Sequence, residues 1–170
     1  MDASIRPARL DDLEGLVAIY NHYVLETPIT FDVEPYTVET RRPWFDAHAP
    51  TGRHRLFVAV EKGGAVVGYA SSARFRPKAA YDTSVESSVY LRPDATGRGV
   101  GSALYAALFA ALAGEDVHRV YGGVTLPNPA SVALHERFGF TQVGLFREVG
   151  RKLGRWWDVA WHEKAMGGEA

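Results

Sequence analysis

The sequence predicts an α/β fold of the mixed α+β kind, in which helices cover the faces of one mixed sheet. Seven β-rich runs are typical of strands, and four segments carry apolar residues at helical spacing. The order of these segments along the chain is β-α-α-β-β-β-α-β-α-β-β. Strands and helices interspersed in this way favour a sheet with helices on both of its faces.

The first part of the chain is predicted to form a strand and two helices. A short strand at residues 4–7 leads into an amphipathic helix, with Asp11 or Asp12 near its start. A second helix is predicted at residues 38–47, although Pro43 interrupts its pattern. The apolar stripe of the first helix consists of Leu13, Leu16, Val17, Tyr20 and Val24.

The residue pattern then changes to that of strands. The runs RLFVAVE and AVVGYASSARF, joined by the turn KGG, predict a hairpin. TSVESSVYL predicts a third strand that ends at Arg92-Pro93, and RVYGGVTL predicts a further strand. The runs TQVGLFREV (141–149) and VAWHEKAM (159–166) are predicted to be the last two strands.

Two later helices carry clear terminal signals. The helix in NPASVALHERFGF has Asn128 as its N-cap, Pro129 at its first position and Gly139 where a C-cap belongs. The helix in PDATGRGVGSALYAALFAAL, residues 93–112, follows a glycine-rich loop. Its apolar residues are Leu104, Leu108, Ala111 and Leu112.

The glycine-rich loop suggests an anion site. Gly97, Gly99 and Gly101 are expected in the turn that opens the helix, next to Arg98. Because a helix start exposes unpaired N–H groups and carries partial positive charge, such a loop suits a phosphate or pyrophosphate. The alternative is a tight strand-to-helix turn that binds nothing.

Two common phosphate-binding loops do not match these letters. A dinucleotide fingerprint would need Gly or Ala at position 102 or 104, where the chain has Ser102 and Leu104. A Walker-type loop needs a lysine after its second glycine, but Ser102 follows Gly101.

Composition narrows the class of protein. A length of 170 residues predicts a single domain, 1–170. The formal net charge of −1 gives no basic excess for nucleic acid or an anionic membrane, so a small-molecule partner is expected. The absence of cysteine excludes disulfides, thiolate metal sites and cysteine nucleophiles. With no apolar leader or long apolar stretch in the sequence, a cytoplasmic location is expected.

Glu86 is an unusual residue for the middle of a strand. By alternation it shares a face with Ser84, Ser88 and Tyr90. Burial would raise the pKa of its carboxyl group toward neutrality, which suits a general base acting on an amine. The alternative is an edge-strand glutamate that faces water.

Other polar groups leave similar alternatives open. Ser131 and His135 lie on one face of the later helix, one turn from Asn128, yet a lone helical histidine is more often on the surface or in packing. A basic cluster is formed by Arg74, Arg76 and Lys78. It could bind an anionic substrate, or it could simply belong to a solvated loop. Trp156, Trp157 and Trp161 are expected in the core or an interface.

Taken together, these segments resemble the GCN5-related N-acetyltransferases (GNAT), and within them the phosphinothricin acetyltransferases. The superfamily's CoA-pyrophosphate motif, Q/R-x-x-G-x-G/A, is similar to TGRGVG, with Thr96 in place of the usual Gln or Arg. Its later motif resembles the segment from Asn128 to Phe140, with His135 where most relatives have tyrosine. The segments ITFDVEP, AAYDTSVESSVYL and GRKLGRWWDV are similar to the phosphinothricin branch, so the resemblance covers nearly the whole chain.

The resemblance implies a GNAT acyl-CoA N-acyltransferase fold, with a mostly antiparallel twisted sheet, and direct acetyl transfer from acetyl-CoA without a metal. Glu86 would act as general base, directly or through a water, and His135 as general acid on the leaving thiolate or as a packing or positioning residue. Phe31, Arg76 and Tyr81 would hold the substrate. The implied cofactor-binding residues are Val89, Tyr90, Leu91, Thr96, Gly97, Arg98, Gly99, Val100, Gly101, Ser102, Asn128 and Ser131.

The resemblance also implies a homodimer, and it leaves the substrate open. The candidates are phosphinothricin, methionine sulfoximine, methionine sulfone and an ordinary amino acid or amine. Two other classes remain, a CoA-binding domain without catalysis, suggested by Thr96 and His135, and a nucleotide-binding regulator.

Overall fold

The computed structural model describes residues 3–167, and its seven strands form one sheet in the order β1-β2-β3-β4-β5-β7-β6. The element order is the predicted one. The strands are β1 (Ala3–Pro7), β2 (Leu56–Glu61), β3 (Val66–Arg74), β4 (Ser84–Leu91), β5 (Arg119–Leu126), β6 (Thr141–Lys152) and β7 (Arg155–Ala165). The α-helices are α1 (Leu13–Glu26), α2 (Val38–Asp46), α3 (Val100–Leu112) and α4 (Pro129–Arg137).

The sheet is mostly antiparallel, with one parallel junction between β4 and β5. Although each of these strands has eight residues, they pair at only three positions, the last being Glu86 opposite Tyr121. Beyond that point the strands separate. The resulting gap in the middle of the sheet connects its two faces.

Two apolar clusters fill the two faces of the sheet. Alternation along β4 directs Val85 into the cluster beneath α3, where Leu104 and Leu108 are fully buried. Tyr90 faces the other way and packs against the cluster beneath α1 and α2, which contains Tyr69. The even-numbered face of β4 is therefore the face that Glu86 shares.

The last hairpin, Gly101 and Pro43 differ in detail from the predicted elements. The last hairpin is longer than predicted, since its strands extend to a tight turn at Leu153-Gly154, where both residues have positive φ. Leucine rarely adopts this conformation, so KLGR gave no hairpin signal. Gly101 was expected in the turn that precedes the helix, but it lies inside the first turn of α3. The helix predicted at residues 38–47 is present as α2, and Pro43, which interrupts the sequence pattern, lies inside it.

Within residues 3–167, no helix combines the length and the apolar character needed to cross a bilayer.

Gly68 provides a test of how tightly β3 packs against β4. A β-carbon at Gly68 would collide with the Leu91 side chain and lie 3.0 Å from the Tyr90 carbonyl oxygen. We expect Gly68→Ala to lower the free energy of unfolding by about 1–3 kcal/mol in urea titrations, because the backbone contact cannot relax by a rotamer change.

Gly63→Ala is the matched control, since a β-carbon there meets nothing within 4 Å. Its effect should stay within about 0.5 kcal/mol. Equal losses in the two variants would contradict the packing argument.

Candidate functional site

The gap between β4 and β5 opens one edge of β4 to a ligand. The Arg92 amide donates to a β3 carbonyl at 2.8 Å, so by alternation Val89 and Leu91 direct their backbone groups away from β3 and into the gap. The Leu91 carbonyl accepts from the Tyr23 hydroxyl at 2.6 Å. Val89 thus presents its N–H and C=O groups toward the gap, whereas the backbone of Tyr90 faces β3.

A groove of about 550 Å³ leads to the gap along the N-terminal ends of α3 and α4. Gly97 and Gly99 line it with φ values of 71° and 79°, and a β-carbon on either would meet nothing within 4 Å. These glycines allow the left-handed backbone conformation and leave the loop backbone accessible, and they are not required by close packing. Val100, Gly101 and Ser102 line the groove with the first turn of α3, whose N–H groups have no intrahelical partner. This end of the groove suits a phosphate-type anion.

The side chains of two loop residues, Thr96 and Arg98, contact other protein groups. Thr96 lines the groove, but its hydroxyl donates to the Pro93 carbonyl at 2.8 Å. The Arg98 guanidinium lies 3.6 Å from a Glu61 carboxylate oxygen on β2, and Arg98 is not among the residues that line the groove. The loop therefore offers the groove its backbone rather than the Arg98 side chain.

The start of α4 forms the opposite wall. Asn128 caps this helix as predicted, because its Oδ1 accepts from the Ser131 amide at 3.1 Å. Pro129 occupies the first helical position and Gly139 follows the helix with φ of 79°. Asn128 and Ser131 both line the groove and the narrow passage beyond it.

The passage joins the groove to a larger cavity on the other face of the sheet. It has a volume of about 40 Å³ and shares Val89 with the groove and Ser88 with the larger cavity. Ile29, from the segment that follows α1, lines all three spaces. A long ligand can therefore enter at the glycine loop, cross the sheet and reach the far face.

The cavity on the far face has a volume of about 530 Å³ and contains Glu86. Ser88 and Tyr90 line it with Glu86, as alternation predicted. Burial raises the pKa of the Glu86 carboxyl group, and the positive charge of Arg76 opposes that shift. Glu86 is thus a partly buried carboxylate next to the mouth of the passage, a setting suited to proton transfer.

His135 lies beneath the passage and is 3% exposed. Its Nδ1 donates to the Ser131 carbonyl at 2.8 Å, so in the neutral ring Nε2 accepts from the Tyr105 hydroxyl at 3.2 Å. A β-carbon on Gly122 would collide with the ring, so β5 holds it from below. Burial lowers the pKa of His135, which favours the neutral form.

The structure brings two of the three expected substrate residues to the cavity. Phe31 and Arg76 line it. Tyr81 is 45% exposed, packs its ring against Phe75 at 6.1 Å between centroids, and is absent from the cavity wall. Of the basic cluster, Arg74 lines the cavity while paired with Asp82 at 3.2 Å.

Residue analysis of the sequence missed Lys152, which is 6% exposed. Its Nζ donates to the Thr30 carbonyl at 2.7 Å and the Tyr23 carbonyl at 3.2 Å. It thereby fixes the segment that carries Ile29 and Phe31 against the last hairpin. The only sequence signal for Lys152 was its place within the segment GRKLGRWWDV. Its contacts join residues more than a hundred positions apart, and such contacts leave no local sequence pattern.

Among residues 3–167, no group of three or more His, Asp or Glu side chains is placed to hold a metal ion.

The chain is similar to known acetyltransferases. Residues 5–161 match the family model described as an acetyltransferase (GNAT) domain. A phosphinothricin N-acetyltransferase from Streptomyces coelicolor is 55% identical over 97% of this chain and 97% of its own length. An L-methionine sulfoximine/L-methionine sulfone acetyltransferase from Pseudomonas paraeruginosa is 40% identical over 94% of this chain and 92% of its own.

A solved structure shares the whole fold. The crystal structure of a GNAT superfamily phosphinothricin acetyltransferase from Sinorhizobium meliloti in complex with acetyl-CoA superposes with a TM-score of 0.93. The two chains are 34% identical, and the alignment covers 98% of this chain and 90% of that one.

Lys152→Met should test the link between the last hairpin and the cavity wall. Methionine keeps most of the side-chain stem but leaves the Thr30 carbonyl without its donor, so we expect the free energy of unfolding to fall by about 1–3 kcal/mol in urea. Lys62→Met, at an exposed position in the β2–β3 turn, is the control. Equal stability of the two variants would show that the Lys152 contacts are dispensable.

Proposed function

This chain belongs to the GNAT acetyltransferase family and is an N-acetyltransferase, and on that premise we propose that it acetylates the α-amino group of a small, phosphinothricin-type amino acid with acetyl-CoA. The observation that carries the proposal is the passage through the sheet. It joins an anion-binding groove on one face to a cavity with a partly buried carboxylate on the other.

The groove fits the shape and charge of acetyl-CoA. The pyrophosphate would contact the backbone N–H groups from Gly97 to Ser102, and the pantetheine arm would lie along Val89 in the gap. Asn128 and Ser131 would line the other side of the arm. The bound co-substrate supplies a thioester carbonyl, which the passage would present to the cavity beside Glu86.

Glu86 is proposed as the general base. Its carboxylate accepts a proton from the substrate ammonium, directly or through an ordered water, and leaves a neutral amine that can attack the thioester carbonyl. The raised pKa supports this role, because it brings the carboxyl group closer to the pKa of the proton it must accept. A backbone N–H of β4 facing the gap would stabilise the negative charge that develops on the carbonyl oxygen.

For His135 we propose a positioning role. A ring that donates from Nδ1 to Ser131 and accepts at Nε2 from Tyr105 has no further proton to give, and burial disfavours the imidazolium form. Its contacts instead fix the start of α4 beside the passage. We therefore assign proton return to the leaving thiolate to solvent or to the base.

Phe31 and Arg76 are proposed to hold the substrate. The Phe31 ring would pack against it, and the Arg76 guanidinium would bind its carboxylate. Because Tyr81 stands outside the cavity wall, its part in binding needs a movement of the loop before β4. Methionine sulfoximine, methionine sulfone and ordinary amino acids are the alternative substrates, and the 40% identical Pseudomonas enzyme supports the first two. The similarity to N-acetyltransferases argues against the CoA-binding domain without catalysis that Thr96 and His135 suggested.

We further propose that the chain functions as one domain and needs no metal for this reaction. The cytoplasmic location stays a prediction.

Glu86→Gln tests the catalytic proposal. We expect kcat/KM for thiol release from acetyl-CoA to fall about 100-fold or more with the best amine, while CoA affinity and the melting temperature are retained. The measurement is thiol release with a panel of amino acids and their phosphinate, sulfoximine and sulfone analogues. If no amine of the panel releases thiol with the wild-type protein, the proposed class of substrate is wrong.

The pH profile gives an independent sign. The proposed base must be deprotonated, and burial raises the pKa of Glu86. We therefore expect kcat/KM to fall as the pH is lowered, with a midpoint above 4.5, the ordinary pKa of a glutamate. Arg76→Gln should move this limb to higher pH, since the arginine charge now lowers that pKa. A second loss of rate with rising pH near the usual histidine range would instead favour His135 as an acid.

We also propose that two copies of the chain associate through the outer face of β6. This strand ends the sheet and exposes the apolar side chains of Val143 and Leu145, whereas Phe146 and Val149 line the cavity that contains Glu86. An exposed apolar edge strand of twelve residues favours association unless it is covered, and a second copy supplies a matching strand.

Val143→Glu should therefore yield a monomer in sedimentation velocity at concentrations where the wild type is a dimer. Leu25→Glu places the same charge on an exposed position of α1 and should leave the dimer intact. A monomeric wild-type protein would contradict the proposal.

A further inference from the structure

The substrate cavity has two ends that carry positive charge. Arg74 and Arg76 lie at one end, beside Glu86, and Arg41, a residue of α2, lies at the other. Arg74 is paired with Asp82, whereas Arg41 is in none of the ion pairs formed among residues 3–167. The Arg41 end therefore holds a cation without a matching carboxylate.

The Arg41 side chain is buried and its position is fixed by aromatic rings. It is 9% exposed, and its guanidinium carbon lies 4.1 Å from the centroid of the Tyr20 ring, 4.2 Å from Trp44 and 4.7 Å from Tyr36. Ring faces attract the cation but do not replace the oxygen acceptors that its N–H groups favour. Arg41 is thus preorganised for an anion.

A second donor at this end has no partner. Tyr69 is 1% exposed and lines the cavity, and its hydroxyl group forms no hydrogen bond with the described part of the protein. The positive charge of Arg41 is close enough to oppose the rise in its pKa that burial causes. Because buried polar groups are normally paired, an orphaned hydroxyl in a cavity wall indicates a place for a ligand oxygen.

The nearby carboxylate is accounted for by other groups. Asp32 accepts from the Tyr20 hydroxyl at 2.7 Å and the Tyr36 hydroxyl at 3.1 Å. Burial lowers the pKa of Lys152 and the negative charge of Asp32 opposes that shift, which places the carboxylate near that buried ammonium. Asp32 is not among the residues that line the cavity.

The register of the sheet separates the two ends. Tyr69 lies opposite Tyr90, and Ala73 lies opposite Glu86. Four residues of strand separate Tyr69 from Ala73, which is about 13 Å along the backbone. Arg41 and Tyr69 thus lie toward the far end of a substrate whose amino group is at Glu86.

From these contacts we infer that Arg41 and Tyr69 form a subsite for a second anionic, oxygen-bearing group at the end of the substrate's side chain. The inference rests on the proposed function and narrows it. It favours an amino acid with an acidic tail, such as the phosphinate of phosphinothricin, over one with an uncharged sulfone. Arg76 would hold the α-carboxylate and Arg41 the tail.

The test compares phosphinothricin with methionine sulfone, which have the same amino-acid head and differ in the charge of the tail. The wild-type protein should show the higher kcat/KM with phosphinothricin. Arg41→Gln should reduce that preference about tenfold or more, mainly through KM, because a charge-assisted hydrogen bond is lost. Arg42→Gln is the matched control, since Arg42 lies on the exposed side of the same helix, paired with Asp46.

Tyr69→Phe gives a second readout that does not depend on how well the arginine variant folds. Because the hydroxyl group has no partner in the protein, its removal should leave the melting temperature unchanged or raised, while KM for phosphinothricin rises several-fold. A lower melting temperature with an unchanged KM would show that the hydroxyl serves the fold and would overturn its assignment.

The outcomes separate this inference from the function it rests on. If both amino acids are acetylated equally well and Arg41→Gln does not change the ratio, the subsite is wrong and the acetyltransferase proposal stands. If neither amino acid releases thiol while other amines do, the substrate class is wrong, and the subsite fails with it.

Discussion

The separation of β4 from β5 after Glu86 is the constraint on which the rest of the site depends. A parallel pair that continued to the ends of both strands would bury the backbone of Val89 and close the sheet. Because pairing stops at Tyr121, one edge of β4 opens to the gap, and the same strand presents Glu86 on the far face. The groove, the passage and the cavity follow from that single interruption.

The opening leaves backbone groups unpaired in the middle of a sheet, which is costly unless other groups satisfy them. Part of the compensation comes from α1, whose Tyr23 hydroxyl donates to the Leu91 carbonyl. The Tyr23 carbonyl in turn accepts from Lys152, so the last hairpin supports the open edge through α1. Parts of the chain distant in sequence thus hold the gap open, and a ligand in the gap would satisfy the groups that remain.

The sequence predicted the elements whose causes are local. Alternation placed Glu86 on the face of Ser88, and cap residues fixed the ends of α4, because both signals act over a few residues. Arg98 was expected at the anion site from its place in the glycine loop and from the family resemblance, but its side chain lies near Glu61 on a distant strand. Arg41 and Lys152 were missed for the same reason, since their roles depend on aromatic rings and carbonyl groups that only the tertiary fold brings to them.

The charges around Glu86 act on two proton equilibria at once. The arginines of the cavity would lower the pKa of an ammonium group bound among them, which would favour the neutral amine that the proposed transfer requires. The same positive charge lowers the pKa of Glu86 and weakens it as a base, but burial of Glu86 acts in the opposite direction and prevails. A partly buried strand position for the proposed base and positively charged ends for the cavity are therefore complementary. Burial raises the pKa of the Glu86 carboxyl group, and the arginines would lower the pKa of the substrate ammonium, so the two values would move closer together.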